Sequence, residues 1–277
     1  MKLYAISDLH LGSPVNRAAI ERLGTFRDDW LILAGDIGET EDHLRTALET
    51  LVPKFARIIW VPGNHDLWTI DPDPWPLKGE YKYRRLVEVC RSYDVLTPED
   101  PYAVWPGTDG GCEVVIAPLF LLYDHSFRPA HVAPEDAVSW ARKSGVVCSD
   151  DGLLDPEPHG SCEAWCARRV LLTERRLAET AAENRRFVLI NHFPLRRDLI
   201  RLDHMPGYAV WCGTQATEDW HLRFNAAAVV YGHLHVPGSH VRDGVRFEEV
   251  SLGYPGEWDG VGDLGPRLRQ ILPAPGE

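Results

Sequence analysis

Five apolar runs in this chain each stop at residues suited to holding a metal ion. That repeated ending constrains the fold more than any other feature of the sequence. Ile58-Ile59-Trp60-Val61 reads as a buried strand and runs into Gly63-Asn64-His65-Asp66. Leu3-Tyr4-Ala5-Ile6 leads to Asp8-Leu9-His10, and Trp30-Leu31-Ile32-Leu33-Ala34 leads to Gly35-Asp36. Phe187-Val188-Leu189-Ile190 leads to Asn191-His192, and Ala226-Ala227-Ala228-Val229-Val230-Tyr231 to Gly232-His233-Leu234-His235. Taken singly, each ending is an ordinary polar turn, and a lone four-residue match carries little information. Taken together, they set amide, imidazole and carboxylate donors at the ends of buried strands, where α/β proteins keep their chemistry. Donors spread from position 8 to position 235 must converge to serve one site, so one large domain is expected.

The stretches between the runs supply the connections. Pro14 opens a helical stretch reaching residue 23, with Arg17 near its start. Residues 39–52 are helical by pattern, with Leu44, Leu48, Leu51 and Val52 as the apolar stripe and Pro53 as the stop. The first 66 residues thus read β-α-β-α-β, a right-handed parallel start. A further helix is expected over 80–93, with Leu86 and Val89 inward. Val95-Leu96-Thr97 and Ala103-Val104-Trp105 read as short strands, and Asp109-Gly110-Gly111 as the turn before a return strand over 113–118. A long helix is expected over 163–186 with Val170, Leu171 and Leu177 inward. A closing hairpin follows, turning at Asp243-Gly244, and the Gly- and Pro-rich stretch 253–277 shows no clear element.

Three stretches break the strand pattern. Residues 67–78 carry Trp68, Trp75 and Pro72, Pro74 and Pro76. Residues 121–167 carry His125, His131 and His159 with Asp150, Asp151 and Asp155. Residues 194–213 carry Arg196, Arg197, Arg201, Tyr208 and Trp211. All three leave from ligand-bearing strand ends and are expected to line a cleft there. The three histidines read as surface or packing residues. Most of the arginines read as a solvated face, with one suited to a pair of phosphate oxygens.

At 277 residues and 44% hydrophobic, the chain has enough apolar surface for one large core. A net charge of −12 excludes general nucleic-acid binding through a basic surface. A small anionic substrate still fits, because bound divalent ions reverse the local field. Cys162 and Cys166 have no matching second pair, so the six cysteines read as free thiols of a cytoplasmic protein. No apolar stretch is long enough to cross a bilayer, and the first strand follows Lys2 directly, so neither a membrane span nor a signal peptide is expected.

In order, Asp8-x-His10, Gly35-Asp36, Gly63-Asn64-His65-Asp66, His192 and Gly232-His233-x-His235 resemble the calcineurin-like metallophosphoesterases. The resemblance covers the chain from the first strand to the Gly232-His233-Leu234-His235 turn. It implies a four-layer α/β/β/α sandwich with two facing mixed β-sheets, as a single domain over 1–277 with insertions at about 67–78, 121–167 and 194–213. It also implies two divalent transition-metal ions. Asp8, His10, Asp36 and His235 would bind the first, and Asp36, Asn64, His192 and His233 the second, with Asp36 as the bridge. A hydroxide between two such ions exists near pH 7 and attacks phosphorus. Mixed nitrogen and oxygen donors suit Mn, Fe, Zn, Co or Ni better than Mg or Ca. His65 stands outside both sets, placed to protonate the leaving oxygen, while Asp66 orients the turn or a histidine. The implied activity is hydrolysis of a small-molecule phosphomonoester. A phosphodiesterase acting on cyclic nucleotides or other diesters is the alternative. A non-catalytic scaffold of the same fold is a third reading, and the presence of all seven ligand positions and His65 weighs against it.

Overall fold

The structure, a computed structural model, describes residues 1–70, 77–109, 111–202, 204–258 and 263–275. Its first third follows the expected alternation. Strands β1 (Leu3–Ile6), β2 (Phe26–Leu33) and β3 (Phe55–Trp60) pair in parallel, joined by helices α1 (Pro14–Arg22) and α2 (Glu41–Leu51). Proline at the start of α1 gives up an N–H that no helical carbonyl would have used. Thr40 caps α2, its hydroxyl accepting from the His43 N–H at 3.1 Å. A single helical turn, α3 (Asn64–Leu67), follows β3, and then α4 (Gly79–Ser92). The second half holds β4 (Ala103–Asp109), β5 (Cys112–Pro118), α5 (Ala137–Lys143), α6 (Asp150–Leu153), α7 (Cys162–Thr180) and β6 (Arg185–Ile190). It closes with α8 (Trp220–Arg223), β7 (Ala226–Tyr231), β8 (Gly238–Arg242), β9 (Val245–Glu249) and β10 (Arg269–Leu272).

These strands form two sheets, ordered β10-β1-β2-β3 and β4-β5-β6-β7-β9-β8. Both are mixed: β10 runs against β1, while β4 and β8 run against their neighbours in the second sheet. The two-residue period of a strand sorts the side chains between layers. Leu3, Ala5 and Ile32 meet Val114, Val188 and Val230 in a core between the sheets. The opposite face of the first sheet sets Leu31 and Leu33 with Ile20 of α1, Leu48 of α2 and Leu86 of α4. The opposite face of the second sets Phe187 and Leu189 with Leu177 of α7 and Trp220 of α8. Helices, sheet, sheet and helices therefore stack as four layers, the architecture that the resemblance implies.

Several local expectations give way. Val95-Leu96-Thr97 is no strand, because only Leu96 makes a bridge, to Ile59. The helix expected over 163–186 ends at Thr180, and Arg185 and Arg186 already belong to β6. Leu171 is 63% exposed. Leu177 is buried as expected, and it shares the buried stripe of α7 with Trp165, Arg169 and Thr173 at four-residue spacing. Arg169 is held there by Glu99 at 2.8 Å, with its guanidinium 4.6 Å from the centroid of the Phe120 ring. The tail, read as featureless, supplies β10. Other expectations stand. Asp243 and Gly244 have φ of 52° and 79°, the left-handed pair that a tight hairpin between β8 and β9 requires. His125 pairs with Glu163 at 3.0 Å and His159 with Glu80 at 2.5 Å, while His131 is exposed. All six cysteines are free. Pro72, Pro74, Trp75, Pro76 and Gly110 lie outside the described residues. Among those described, no helix is long and apolar enough to cross a membrane.

Candidate metal centre

The ends of β1, β2 and β3 from one sheet meet the ends of β6 and β7 from the other. The chain bends sharply as it leaves these strands. Asp8, His10, Asp36, His233 and His235 have φ between 42° and 71°, the left-handed region that side chains with a Cβ avoid. Backbone of this kind costs on the order of 1–3 kcal/mol per residue and gathers at functional sites. Two glycines allow the close approach. A Cβ on Gly63 would lie 2.0 Å from Asp36 Oδ1, and one on Gly232 would lie 2.3 Å from Asp8 Oδ2.

The donors converge in three overlapping groups, each with ligand atoms within 4.8 Å of one another: Asp8, His10 and His235; His10, Asp36 and His65; and Asp36, His192 and His233. Asp8 turns one oxygen, Oδ2, to the hydroxyls of Ser7 (2.5 Å) and Ser251 (2.7 Å). Its Oδ1 lies 3.2 Å from His235 Nε2, which is itself 3.1 Å from His10 Nε2. His192 Nδ1 donates to the Ala34 carbonyl at 2.9 Å, which leaves Nε2 as the nitrogen turned to the cluster. That Nε2 faces Asn64 Oδ1 at 3.2 Å and Asp36 Oδ2 at 3.3 Å. His233 Nε2 is buried without a hydrogen-bond partner. Imidazole nitrogens and carboxylate oxygens aimed at one another, with His233 Nε2 an orphan, are the surroundings that a cation satisfies.

The charge balance points the same way. Burial alone would raise Asp8 and Asp36, but His192 and its neighbouring imidazoles hold both carboxyls below the usual range. Against the lowering effect of burial, Asp36 and Asp8 lift His192 to about 10, and Asp8 lifts His235 to about 9. Burial presses His10 down to about 4 and His233 to about 3. The cluster thus calls for positive charge, which divalent cations would bring in place of those protons.

His65 occupies the rim. Its ring lies 3.5 Å, centroid to centroid, from that of Trp68, with Nδ1 3.5 Å from Glu39 Oε1 and Nε2 3.9 Å from Asp36 Oδ2. Its backbone N–H donates to Asp36 Oδ1 at 2.9 Å. Asp66 accepts from the backbone N–H groups of Gly63 (2.8 Å), Asp36 (2.9 Å) and Ile37 (3.1 Å). It therefore clamps the loop after β2 to the loop after β3, the turn-orienting half of the expectation. Burial and Asp36 push its carboxyl up to about 7, against the pull of those donors.

Three carboxylates at the site were not singled out from the sequence. Glu39 faces His65, and its other oxygen lies 3.2 Å from His43 Nδ1. Glu257 accepts from His235 Nδ1 at 2.7 Å, which leaves Nε2 free toward Asp8. Asp150, in the long insertion, accepts from Asn64 Nδ2 (2.9 Å) and Trp68 Nε1 (2.6 Å) through the same oxygen. A carboxylate cannot donate, so this contact turns the Asn64 amide NH₂ away from the cluster and its carbonyl oxygen into it. Asp150→Ala is expected to weaken the ion beside Asn64 and His192 by about 10–100-fold, with binding at Asp8 and His235 kept. Metal titration resolving two affinities checks this, and two unchanged affinities would refute it.

An open cleft of about 500 Å³ lies over the centre. One side is Asp36, Asn64, His65, His233 and His235, and the other is built from two insertions, through Val146 and Val147 and through Leu202, Met205 and Tyr208. From the first insertion, 67–78, Trp68 supports His65, and residues 71–76 lie outside the described residues. None of the arginines of 194–213 lines this cleft among the described residues.

The family model for calcineurin-like phosphoesterases matches residues 1–237. The chain is 46% identical over 275 residues to the [acyl-carrier-protein] phosphodiesterase PptH of Mycobacterium tuberculosis, covering 99% of this chain and 84% of that one. It superposes on the crystal structure of phosphopantetheinyl hydrolase PptH from Mycobacterium tuberculosis with a TM-score of 0.93 and 46% identity, covering 99% and 96% of the two chains. It is also 30% identical over 82 residues to a Danio rerio transmembrane protein with a metallophosphoesterase domain, a match covering 27% of this chain and 19% of that protein.

Proposed function

The chain belongs to the calcineurin-like phosphoesterase family and is a metal-dependent hydrolase of phosphate esters; from that premise we propose that its substrate is a phosphodiester, the one through which a phosphopantetheinyl arm hangs on an acyl carrier protein. The observation that carries this reading is the 46% identity to PptH along 99% of the chain. A cleft open at the surface, with Val147 76% exposed and Met205 49% exposed on its rim, suits a substrate borne on another protein better than a small enclosed ester does. The substrate class is thereby moved from the free phosphomonoester expected first to the diester alternative. Six free thiols fit a reducing, cytoplasmic setting.

Asp8, His10, Asp36 and His235 would hold one divalent ion, and Asp36, Asn64, His192 and His233 a second, with Mn, Fe, Zn, Co or Ni suited to the donors. Such a pair, when bound, supplies a water acidic enough to attack near neutral pH and offsets the charge on the phosphate oxygens. The protein's own part is to hold the donors rigid through strained strand ends and the Asp66 clamp. His65, backed by Trp68 and faced by Glu39, is held to give a proton to the departing alkoxide. The test is to incubate the Mn-supplemented protein with a holo acyl carrier protein and read the carrier's intact mass. The expected result is loss of one phosphopantetheinyl group. An unchanged carrier, with aryl phosphodiesters turned over alongside, would mean a different ester is the substrate.

A further inference from the structure

We propose that the wall formed by Val146, Val147, Leu202, Met205 and Tyr208 is a subsite for the uncharged, partly apolar arm attached to the phosphate, an inference that rests on the phosphodiester reading above. The wall is continuous with the metal centre. Tyr208 stacks on His233, with ring centroids 5.6 Å apart and planes 18° apart. From there the surface runs out over Met205 and Val147, large apolar groups left in water at the cleft mouth. Exposed apolar side chains grouped beside a catalytic centre mark a surface that a ligand covers.

The wall is also rigid. Gly207 lies so close to the other insertion that a Cβ there would be 3.2 Å from Ala141 Cα and 3.3 Å from Val146 Cγ2. Trp211 Nε1 donates to Asp151 at 2.9 Å, tying the 194–213 insertion to α6 of the 121–167 insertion. The two insertions thus make one preformed face, and a ligand there loses little to reordering of the protein.

Charge decides what the face accepts. Among the described lining residues there is no lysine or arginine. Among the described lining residues outside the candidate ligands and His65, the one carboxylic acid is Glu257, already bonded to His235. An arm carrying further phosphates would find no counterion there, and carboxylates would repel it. A chain of amides and methylene groups brings no charge to desolvate, and its methylene groups gain apolar contact. A pantetheine arm has that chemistry, whereas nucleotides and polyphosphates do not.

The experiment is calorimetric titration of Mn-loaded protein with 4′-phosphopantetheine and, separately, with inorganic phosphate. The wild-type protein is expected to bind phosphopantetheine at least about tenfold more tightly than phosphate. Val147→Thr combined with Met205→Gln keeps side-chain volume at two exposed positions and removes the apolar surface. This variant is expected to lose most of that preference while binding phosphate as the wild type does. Equal affinities in the wild type, or a preference unchanged in the variant, would overturn the subsite. A preference that is present and lost in the variant, with holo carrier protein left intact, would keep the subsite and reject the carrier-protein substrate. Cleaved carrier with no preference would do the reverse.

Discussion

Asp36→Asn is expected to remove metal from both halves of the centre and to lower turnover by on the order of 10³-fold or more, the loss of several kcal/mol of charge stabilisation. The residue sits in two of the three donor groups, beside His10 and His65 on one side and beside His192 and His233 on the other. An amide keeps the oxygen that accepts from the His65 N–H at 2.9 Å, so the turn survives while the negative charge is lost. Elemental analysis is the readout, with circular dichroism to show that the fold is retained. Normal metal content in the variant would reject a bridging role. Asn64→Ala, which removes an oxygen beside His192 and leaves the Asp8 side untouched, is expected to loosen one ion and spare the other.

His65→Ala is expected to slow hydrolysis of alkyl phosphate esters by about 10²–10⁴-fold and to slow nitrophenyl esters much less. An alkoxide leaves as a strong base and needs a proton in the transition state, while a nitrophenolate hardly needs one. The side chain stands on the rim with its Nε2 3.9 Å from Asp36 Oδ2 and its ring fixed against Trp68. That location suits a group that meets the substrate. The structure also brings it within ligand reach of His10 and Asp36, so metal content must be measured together with the rates. Equal losses for both ester types would assign the imidazole to charge stabilisation. Loss of metal would make it a ligand.

The parts of this molecule that were legible in the sequence are those whose signal is local. Asp8 and His10, Asp36, Asn64 and the later histidines each close an apolar run, so strand and donor are read in one window. The four-layer stack came from the resemblance those motifs carry, since parallel runs alone fit a single sheet equally well. What stayed hidden depends on contacts between distant segments. Asp150 reaches Asn64 from 86 residues away, on an insertion with no periodic pattern, and nothing near either residue announces the pairing. Glu257 reaches His235 from the tail in the same way. The strand β10 is four residues long and exists because β1 offers an open edge to pair with. Leu171 looked inward only because aliphatic residues were counted, whereas α7 buries Arg169 and Thr173 in their place.

Asp8, His10, Asp36, Asn64, His192, His233 and His235 would form one centre for two ions. Anomalous X-ray diffraction from crystals grown with Mn tests it most directly. The expected result is two peaks roughly 3.5–4 Å apart. One would lie among Asp8, His10, Asp36 and His235, and the other among Asp36, Asn64, His192 and His233. A single peak, or a second one away from Asn64 and His192, would contradict it.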